Sequence, residues 1–420
     1  MSQAHRHADE ADQQDALKHY RQQFNWPTSA TDHDITYLCG NSLGLQPHAA
    51  VDRVLEVMND WATLGVEGHF KAKRSWLHYH QQAAPLLARL LGCNEDEVVA
   101  MNTLTVNLNL LLLSFYRPTP ERFKILIEAD AFPSDRYAVQ SQLAYHGHDA
   151  ADAIVDWHAD DTGLHADALD ALLKQHPEIA LVLLPGIQYL SGEWLDLESI
   201  AAVTKAHDVV LGLDLAHAVG NVPINLSAYD ADFAVFCTYK YLNGGPGSIG
   251  GAYVNQRHHG SDVPRLHGWW GNDESSRFLM SNTFDPAKGV DVWQQSNPPI
   301  LSLAPVIASL EMFDEVGMSA LREKSLALTG FLHELIDTQL SDHIDIVTPA
   351  DPARRGAQLS LALKAPAEAG RRLFSSLEAA GIIGDWREPN IIRVAPAPLY
   401  NNHADVIRLV DALHQAIAEK

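Results

Sequence analysis

The chain has 420 residues, of which 46% are apolar and 20% charged, a balance typical of a globular protein with one large domain and a smaller partner. Its net charge is −23, from 53 acidic and 30 basic residues, which disfavours nucleic acid and anionic membranes as partners. No apolar run approaches the roughly 18 residues that span a bilayer, and the polar N-terminus shows no signal peptide, so we expect a cytoplasmic protein with no membrane partner.

The elements predicted in chain order begin with a polar arm or short helix over 1–35 and a helix over about 49–64. From about residue 98 onward, apolar strands alternate with helices. The strand-like runs are 123–129, 153–157, 179–185, 209–216 and 232–239, and the helix-like runs between them are 165–176 and 197–208. Fully apolar strands with helical crossovers indicate a mostly parallel sheet covered on both faces, and ligands bind such sheets at the carboxyl ends of the strands.

The pattern changes after about residue 300. A helical stretch runs from Ser302 to about Thr338, with a break expected at Gly317. It is followed by short strands, a helix and a last helix from His403. We therefore predict three units: an N-terminal arm and substrate-lid segment (1–48), a large domain (49–305) and a small C-terminal α+β domain (306–420).

Two oppositely charged side chains follow apolar strands of the large domain. Asp214 ends the run LGLD, and Lys240 comes just after DFAVFCTY. Pyridoxal phosphate needs such a pair, because a lysine forms a Schiff base with its aldehyde and a carboxylate keeps its ring nitrogen protonated. Alone, the lysine would be a solvated charge and the aspartate a turn or helix cap. Together, in an α/β pattern, they favour a cofactor site.

A glycine-rich segment follows the lysine. Gly245-Pro-Gly247-Ser-Ile-Gly250 matches the G-x-G-x-x-G pattern of dinucleotide-binding folds, which requires a helix directly afterwards. The next residues, Ala-Tyr-Val, predict a strand instead. We therefore reject a dinucleotide site and expect these glycines to let the backbone pack closely beside Lys240.

Two predicted helix starts offer contacts to such a cofactor. Residues 102–105 (NTLT) open a long helix, where hydroxyl and N–H groups form an anion site, although an ordinary threonine cap has the same pattern. Residues 132–135 (FPSD) open another. There Phe132 would stack on a pyridine ring beside Asp135, or the segment is a capping box with a core aromatic. His217 either lines the ring or is a core histidine.

Long blocks in a consistent order resemble the kynureninase family, which has the aspartate-aminotransferase-like fold (fold type I) of pyridoxal-phosphate enzymes. The blocks are YLCGNSLGLQP (37–47), NTLTVNLNLLLLSFY (102–116), FPSDRYA (132–138), DLAHAVGN (214–221), YKYLNGGPGSIGG (239–251), HGWWG (267–271), SNPPILSL (296–303) and IIRVAPAPLYN (391–401). The resemblance implies an α/β large domain with a mostly parallel seven-stranded sheet, a smaller α+β domain, pyridoxal 5'-phosphate as cofactor and a homodimer with shared active sites.

The family pattern implies roles for the matching residues. Lys240 holds the cofactor and acts as a base, Asp214 pairs with the ring nitrogen, and Tyr239 is an acid. Further cofactor contacts are Leu104, Thr105, Phe132, Pro133, Ser134, Asp135, His217, Trp269 and Asn297, and Tyr239 also contacts the phosphate. The substrate-side residues are Arg393, which grips the α-carboxylate, with His69, Ser42 and Asn41. Pro185 stands where relatives can carry a serine, which puts a contact there in doubt.

The implied reaction is hydrolytic cleavage of kynurenine or 3-hydroxykynurenine between Cβ and Cγ, giving an anthranilate and L-alanine. The resemblance implies a place in tryptophan breakdown or in NAD synthesis. The segment Gly68-His69-Phe70 resembles the animal-type members of the family, so we predict a preference for 3-hydroxykynurenine; the alternative is that His69 is a surface histidine.

Two other enzyme classes share the lysine and aspartate. A cysteine desulfurase needs a nucleophilic cysteine in the last third of the chain, whereas Cys39, Cys93 and Cys237 all lie before residue 240. An aminotransferase would need an acceptor keto acid. A non-catalytic regulator on this fold would need an added module. The cysteines form no metal-binding spacing, and we expect no metal.

Overall fold

In the computed structural model, which describes residues 3–28, 34–160 and 163–418, the large domain is built around a seven-stranded sheet. Its strands are β1 Val98–Ala100, β2 Lys124–Glu128, β3 Ile154–Trp157, β4 Ile179–Pro185, β5 Val210–Asp214, β6 Phe233–Phe236 and β7 Gly251–Val254. They lie in the order β1-β7-β6-β5-β4-β2-β3. Strand β7 is antiparallel to both neighbours, and the pairs from β6 to β3 are parallel. The predicted α/β class with a mostly parallel seven-stranded sheet is confirmed.

Helices cover both faces of this sheet and build most of the remaining chain. The longer ones are α1 Gln3–Gln14, α2 His48–Leu64, α3 Ala84–Leu91, α4 Leu104–Phe115, α5 Pro133–Tyr145, α6 Ala166–Gln175, α7 Leu197–Ala206, α8 Ile300–Val316, α9 Met318–Leu340, α10 Ala367–Ala379 and α11 His403–Ala418. One-turn helices are Gly68–Lys71, Ala150–Ala153, Leu226–Tyr229 and Glu274–Arg277.

The apolar strands are explained by burial on both sides. Along β4, Leu181 and Leu183 belong to one apolar core, and Val182 and Leu184 belong to another on the opposite face. Because side chains alternate along a strand, both sets must be apolar when helices cover both faces. This is why the sequences of these strands are continuous apolar stretches.

The C-terminal part has its own sheet and its own core. Strands β8 Ile344–Ile346, β9 Leu359–Leu363, β10 Asp385–Arg387 and β11 Ile391–Val394 form an antiparallel sheet in the order β8-β9-β11-β10. Helices α9 to α11 supply most of the rest of its core, and Ala8 of α1 and Leu38 contribute from the N-terminal segment. The N-terminal segment joins it, since Thr36–Tyr37 pairs with Ile382–Ile383. The helix break predicted at Gly317 is present, with φ at 78°.

The domain limits at 48/49 and 305/306 stay a prediction. In the described residues, α8 runs across the second limit, and its side chains pack into the core of the large domain. No helix in the described ranges is long and apolar enough to cross a membrane.

The glycines after Lys240 agree with their predicted role only in part. Gly245 and Gly247 have positive φ values of 88° and 68°, and a Cβ on either would meet nothing within 4 Å. They permit a turn rather than close packing. The close approaches occur at Gly250, where a Cβ would lie 3.1 Å from the Leu104 amide nitrogen, and at Gly44, where it would lie 2.5 Å from the Lys240 carbonyl oxygen. The strand predicted after this segment is β7, so the rejection of a dinucleotide site agrees with the structure.

Candidate active site

The carboxyl ends of β5 and β6 bring the predicted lysine and aspartate into one crevice. These strands are adjacent and parallel, so the residues that follow them emerge at the same edge. Asp214 is the last residue of β5, and Lys240 lies four positions after the end of β6. Nζ of Lys240 lies 2.9 Å from Nε2 of His217. One cavity at this edge is lined by Leu104, Thr105, Glu128, Phe132, Ser134, Asp135, Pro185, Ile187, Tyr189, Asp214, Ala216, His217, Tyr239 and Lys240.

Hydrogen bonds hold the loop that carries Lys240 from two sides. Oγ1 of Thr238 donates to the carbonyl of Ile249, at 2.5 Å, and lies 2.6 Å from Oγ of Ser248. From the other side, the amide of Gly44 donates to the carbonyl of Tyr239, at 2.9 Å. These contacts fix the backbone from which the lysine side chain extends into the crevice.

His217 is held in its neutral form. Burial, reinforced by the positive charges of Lys240, Arg393 and Arg387, keeps the pKa of His217 well below its ordinary value. Its Nε2 therefore accepts a hydrogen bond from Lys240 Nζ, and Nδ1, which is buried, has no partner in the described structure. The histidine orients the lysine amine without adding a charge to the crevice.

Three carboxyl groups face the same cavity. Oδ1 of Asp214 accepts a hydrogen bond from the amide of Ala216, at 2.7 Å. Burial raises the pKa of Asp214, and burial together with the negative charge of Asp214 raises that of Asp135 well above its ordinary value. Burial, with Asp130 and other nearby carboxylates, raises the pKa of Glu128 to about 8. Three buried carboxyl groups are thus crowded together, and Oδ1 of Asp135 is buried without a hydrogen-bond partner in the described structure.

The start of α4 offers donors at the other end of the cavity. Its N-cap residue, Thr103, makes no side-chain cap bond, which leaves first-turn N–H groups available. Oγ1 of Thr105 lies 2.8 Å from Oγ of Ser134, at the start of α5. Two hydroxyls and a helix start therefore meet beside Gly250, where any larger residue would crowd the Leu104 amide.

These features fit the cofactor predicted from the sequence. A protonated ring nitrogen would supply the cation that the buried Asp214–Asp135 pair lacks, and a phosphate would use the helix start and the two hydroxyls. The Phe132 ring is 43% exposed, stands edge-on to Tyr189 and lies 6.0 Å from Lys240 Nζ, so one face is open for stacking. Pro185, which also lines the cavity, has neither hydroxyl nor N–H to offer.

The predicted carboxylate-binding residue lies on the small-domain side. Arg393, whose side chain is 1% exposed, donates through Nη1 to the carbonyl of Tyr189, at 2.6 Å, and through Nη2 to Oδ2 of Asp385. Oγ of Ser42 also donates to Asp385, at 2.5 Å. Asn41 is fully buried and donates to Gln358, at 3.0 Å. The N-terminal segment and the small domain therefore meet at this arginine.

Seven predicted residues are not among those that line this cavity in the described part of the chain. Arg393, Ser42 and Asn41 lie where the N-terminal segment meets the small domain, and the other four are Trp269, Asn297, His69 and Pro133. Trp269 is 47% exposed, and its indole N–H donates to the carbonyl of Arg277. Asn297 is exposed. His69 stands edge-on to Trp76, with ring centroids 5.4 Å apart. Pro133 is the first residue of α5 and shapes the helix start rather than lining the cavity.

Four polar residues near the predicted site were not anticipated from the sequence. Glu128 and Tyr189 line the cavity, and Asp385 and Arg387 belong to the ion-pair group of Arg393. Glu128 ends β2 as Asp214 ends β5, so the strand-end reasoning that found Asp214 would have found it as well. The other three lie in segments without a distinctive local pattern. No cluster of residues suited to a metal ion occurs within 3–28, 34–160 and 163–418.

Comparison with known proteins decides the family. A protein named kynureninase from Xanthomonas oryzae pv. oryzae (strain PXO99A) is 53% identical over 403 residues, which cover 95% of this chain and 95% of that one. This chain belongs to the kynureninase family. A second kynureninase, from Xanthomonas axonopodis pv. citri (strain 306), is 51% identical over 408 residues and covers 96% of each chain. The family model for the kynureninase C-terminal domain matches residues 321–413.

Solved structures show the same fold at low identity. The cystine C–S lyase C-DES, in complex with cysteine persulfide, is 20% identical with a TM-score of 0.79, covering 90% of this chain and 97% of its own. The cysteine desulfurase CsdA from Escherichia coli is 18% identical with a TM-score of 0.76, covering 96% and 98%. This likeness confirms the predicted fold type I architecture. Cys39 and Cys237 are buried and Cys93 is half-buried, so none is placed as a mobile nucleophile.

Proposed function

We propose that this kynureninase-family protein cleaves L-kynurenine or 3-hydroxy-L-kynurenine hydrolytically between Cβ and Cγ, releasing anthranilate or 3-hydroxyanthranilate and L-alanine. The observation that carries the proposal is the crevice in which Lys240, His217 and Asp214 converge, in a chain about half identical to proteins named kynureninase. The cofactor is pyridoxal 5'-phosphate, which is covalently linked to glycine in a second C-DES structure. When bound, it supplies an electron sink for negative charge at the substrate's Cα.

The Nζ atom of Lys240 would have two roles. Its Nζ would hold the cofactor, and the same amine is the base for the α-proton of the substrate. The neutral His217, 2.9 Å away, keeps this amine directed into the cavity. Asp214 would keep the ring nitrogen of the bound cofactor protonated, because a buried carboxylate beside Asp135 is stabilised by a cation.

Tyr239 is suited to donate a proton. Burial, together with Cys237 and Asp214, raises the pKa of its hydroxyl above the ordinary value, so the group stays protonated. Its ring lies 6.0 Å from Lys240 Nζ, on the cavity wall. We assign it the proton that Cβ receives when L-alanine is formed.

The remaining predicted contacts form two groups, one for the cofactor and one for the substrate. Leu104, Thr105 and Ser134 would hold the phosphate, and Phe132 would stack on the ring, with Asp135 at its edge. Arg393 would bind the α-carboxylate of the substrate from the small-domain side. Ser42 and Asn41 close the site from the N-terminal segment.

We further propose a homodimer that completes each site. Trp269, Asn297 and His69 lie outside the cavity of their own chain, and exposed apolar residues accompany two of them. Phe70, next to His69, is 63% exposed, and Phe278, edge-on to Trp269, is 49% exposed. Such residues are typical of an interface. In a dimer, the three would reach the partner's cavity. The protein would act in the cytoplasm, in tryptophan breakdown or NAD synthesis.

The proposed reaction has a direct test. Purified protein with pyridoxal 5'-phosphate should release fluorescent anthranilate from kynurenine with no keto acid present, in equal amount to L-alanine. An aminotransferase would need an acceptor keto acid. Absence of both anthranilate from kynurenine and 3-hydroxyanthranilate from 3-hydroxykynurenine would refute the proposal.

A further inference from the structure

Beside the predicted carboxylate-binding arginine lies a second arginine that no assigned role uses. Asp385 and Arg393 are directly opposite each other across the β10–β11 pair. Arg387 lies two positions after Asp385 on β10, and side chains two apart in a strand share a face. The sheet itself therefore sets these three charged groups side by side.

One carboxylate is shared by both guanidinium groups. Oδ2 of Asp385 accepts from Nη2 of Arg393 and from Nη2 of Arg387, the latter at 3.0 Å, and Oδ1 lies 3.0 Å from Nε of Arg387. The side chains of Asp385 and Arg393 are 11% and 1% exposed. The two guanidinium groups and Ser42 hold the pKa of Asp385 below its ordinary value against the effect of burial, so the carboxylate is charged.

The group as a whole has one positive charge in excess. Two guanidinium groups face one carboxylate, and the charge of Arg393 is largely withdrawn from solvent, because its side chain is only 1% exposed. Both arginines are close enough to lower the pKa of His217 in the crevice. A buried charge without a counter-charge is costly, so this excess favours binding of one anion on the crevice side.

The hydrogen bonds of Arg393 limit what it offers alone. Its Nη1 donates to Tyr189, and its Nη2 donates to Asp385 and, at 3.5 Å, to Ser42, while its buried Nε has no partner in the described structure. Both N–H groups of Nη2 are therefore in use. A planar bidentate contact to a carboxylate pairs Nη2 with either Nε or Nη1, so neither such fork of Arg393 is free. A further cationic donor is Arg387, which shares Asp385 with Arg393 and whose side chain is 36% exposed.

We propose that Arg387 is a second binding residue for the substrate's α-carboxylate, and that Asp385 is a positioning residue that holds both arginines. The inference rests on the proposed function only in taking Arg393 as the first such residue. Binding of the anion neutralises the cluster, and Asp385 stays paired with Arg387 throughout. Specificity for α-amino acids over the corresponding amines then depends on both arginines.

The test compares two ligands that differ only in this carboxylate. Kynurenine and kynuramine, which lacks the carboxylate, are titrated into the holoenzyme while the cofactor absorbance is followed. Arg387→Gln should weaken kynurenine binding and raise KM about tenfold, because a charge-assisted contact is lost. The value of kcat and the affinity for kynuramine should stay near wild type. Arg387→Lys should recover part of the loss.

The control is an arginine in a comparable ion pair far from the cavity. Arg89 binds Asp314 through two hydrogen bonds on the surface, and Arg89→Gln should match wild type in both titrations. Asp385→Asn should weaken kynurenine binding more than Arg387→Gln does; where it fails to fold, the Arg387 variants decide.

The outcomes distinguish the proposed role of Arg387 from the proposed reaction. Unchanged kynurenine affinity in Arg387→Gln would overturn the second binding residue, and so would an equal loss for kynurenine and kynuramine, which would indicate a purely structural ion pair. A wild-type protein that does not cleave kynurenine at all would instead overturn the proposed function.

Discussion

The crevice at the strand ends and the outer group formed by Trp269, Asn297 and His69 are built in different ways. The crevice is buried, and its residues come together within one chain because parallel strands end at one edge. The outer group lies on exposed segments, and none of its members reaches the cavity of its own chain. A sheet can therefore bring the central residues of a site together within one chain. The outer residues need a second protein surface to take part in a site.

The largest effect is expected at Lys240. Lys240→Met should remove the covalent link to the cofactor and lower kcat by at least about 10³-fold, since the base is lost. Borohydride reduction followed by peptide mapping should place the cofactor on Lys240 in wild type. The exposed Lys205→Met is the control and should behave as wild type. An adduct on another lysine would show that the crevice is not the chemical centre.

The next effect concerns the buried carboxylate. Asp214→Asn should keep the cofactor but lower kcat about 10²–10³-fold, the effect of removing one partner of a buried ion pair. With α-deuterated substrate, the isotope effect should increase, because proton removal at Cα becomes slower. Asp156→Asn, on the exposed side of β3, serves as the control. Wild-type turnover in Asp214→Asn would contradict its role.

A smaller effect is expected where the small domain meets the crevice. Arg393→Lys keeps the charge but loses the planar fork, so kcat/KM should fall by at least about fivefold, or 1 kcal/mol. Steady-state kinetics on kynurenine would measure it. An unchanged kcat/KM would mean that the carboxylate is held elsewhere.

The pH dependence of folding stability tests how strongly burial raises the pKa of the Glu128 carboxyl group in the crevice. The pKa of Glu128 is raised from 4.5 to about 8 in the folded chain, so this group stabilises the fold fully below pH 4.5 and loses that contribution as the pH rises to about 8. In cofactor-free protein, Glu128→Gln should therefore have a higher Tm than wild type at pH 8 and a similar Tm at pH 4.5. The exposed Glu323→Gln is the control. Equal Tm values at pH 8 would show that Glu128 is well solvated.

The smallest effect is expected in the outer group. His69→Trp should shift the ratio of kcat/KM values a few-fold from 3-hydroxykynurenine towards kynurenine, because a hydrogen-bonding partner of the 3-hydroxyl is removed. His78→Trp, a half-exposed histidine beside Glu274, is the matched control. A wild type that already prefers kynurenine would remove the predicted preference and leave the family assignment intact.

The sequence alone was enough to predict the features that depend on local residue patterns. Apolar strands and helical crossovers gave the sheet, and the strand-end positions of Asp214 and Lys240 gave the crevice, because these depend on alternation and on polar residues at strand ends. Helix starts at Thr103 and Phe132 followed from the same local rules.

Only the tertiary structure decided the contacts between distant segments. Asp385 and Arg393 are eight positions apart, but their pairing with Ser42 and Tyr189 depends on how the N-terminal segment and the small domain pack against the large one. The raised pKa of Glu128 likewise arises from burial among carboxylates of separate strands and loops. Desolvation and cross-domain hydrogen bonds are properties of the packed molecule, and no local sequence pattern encodes them.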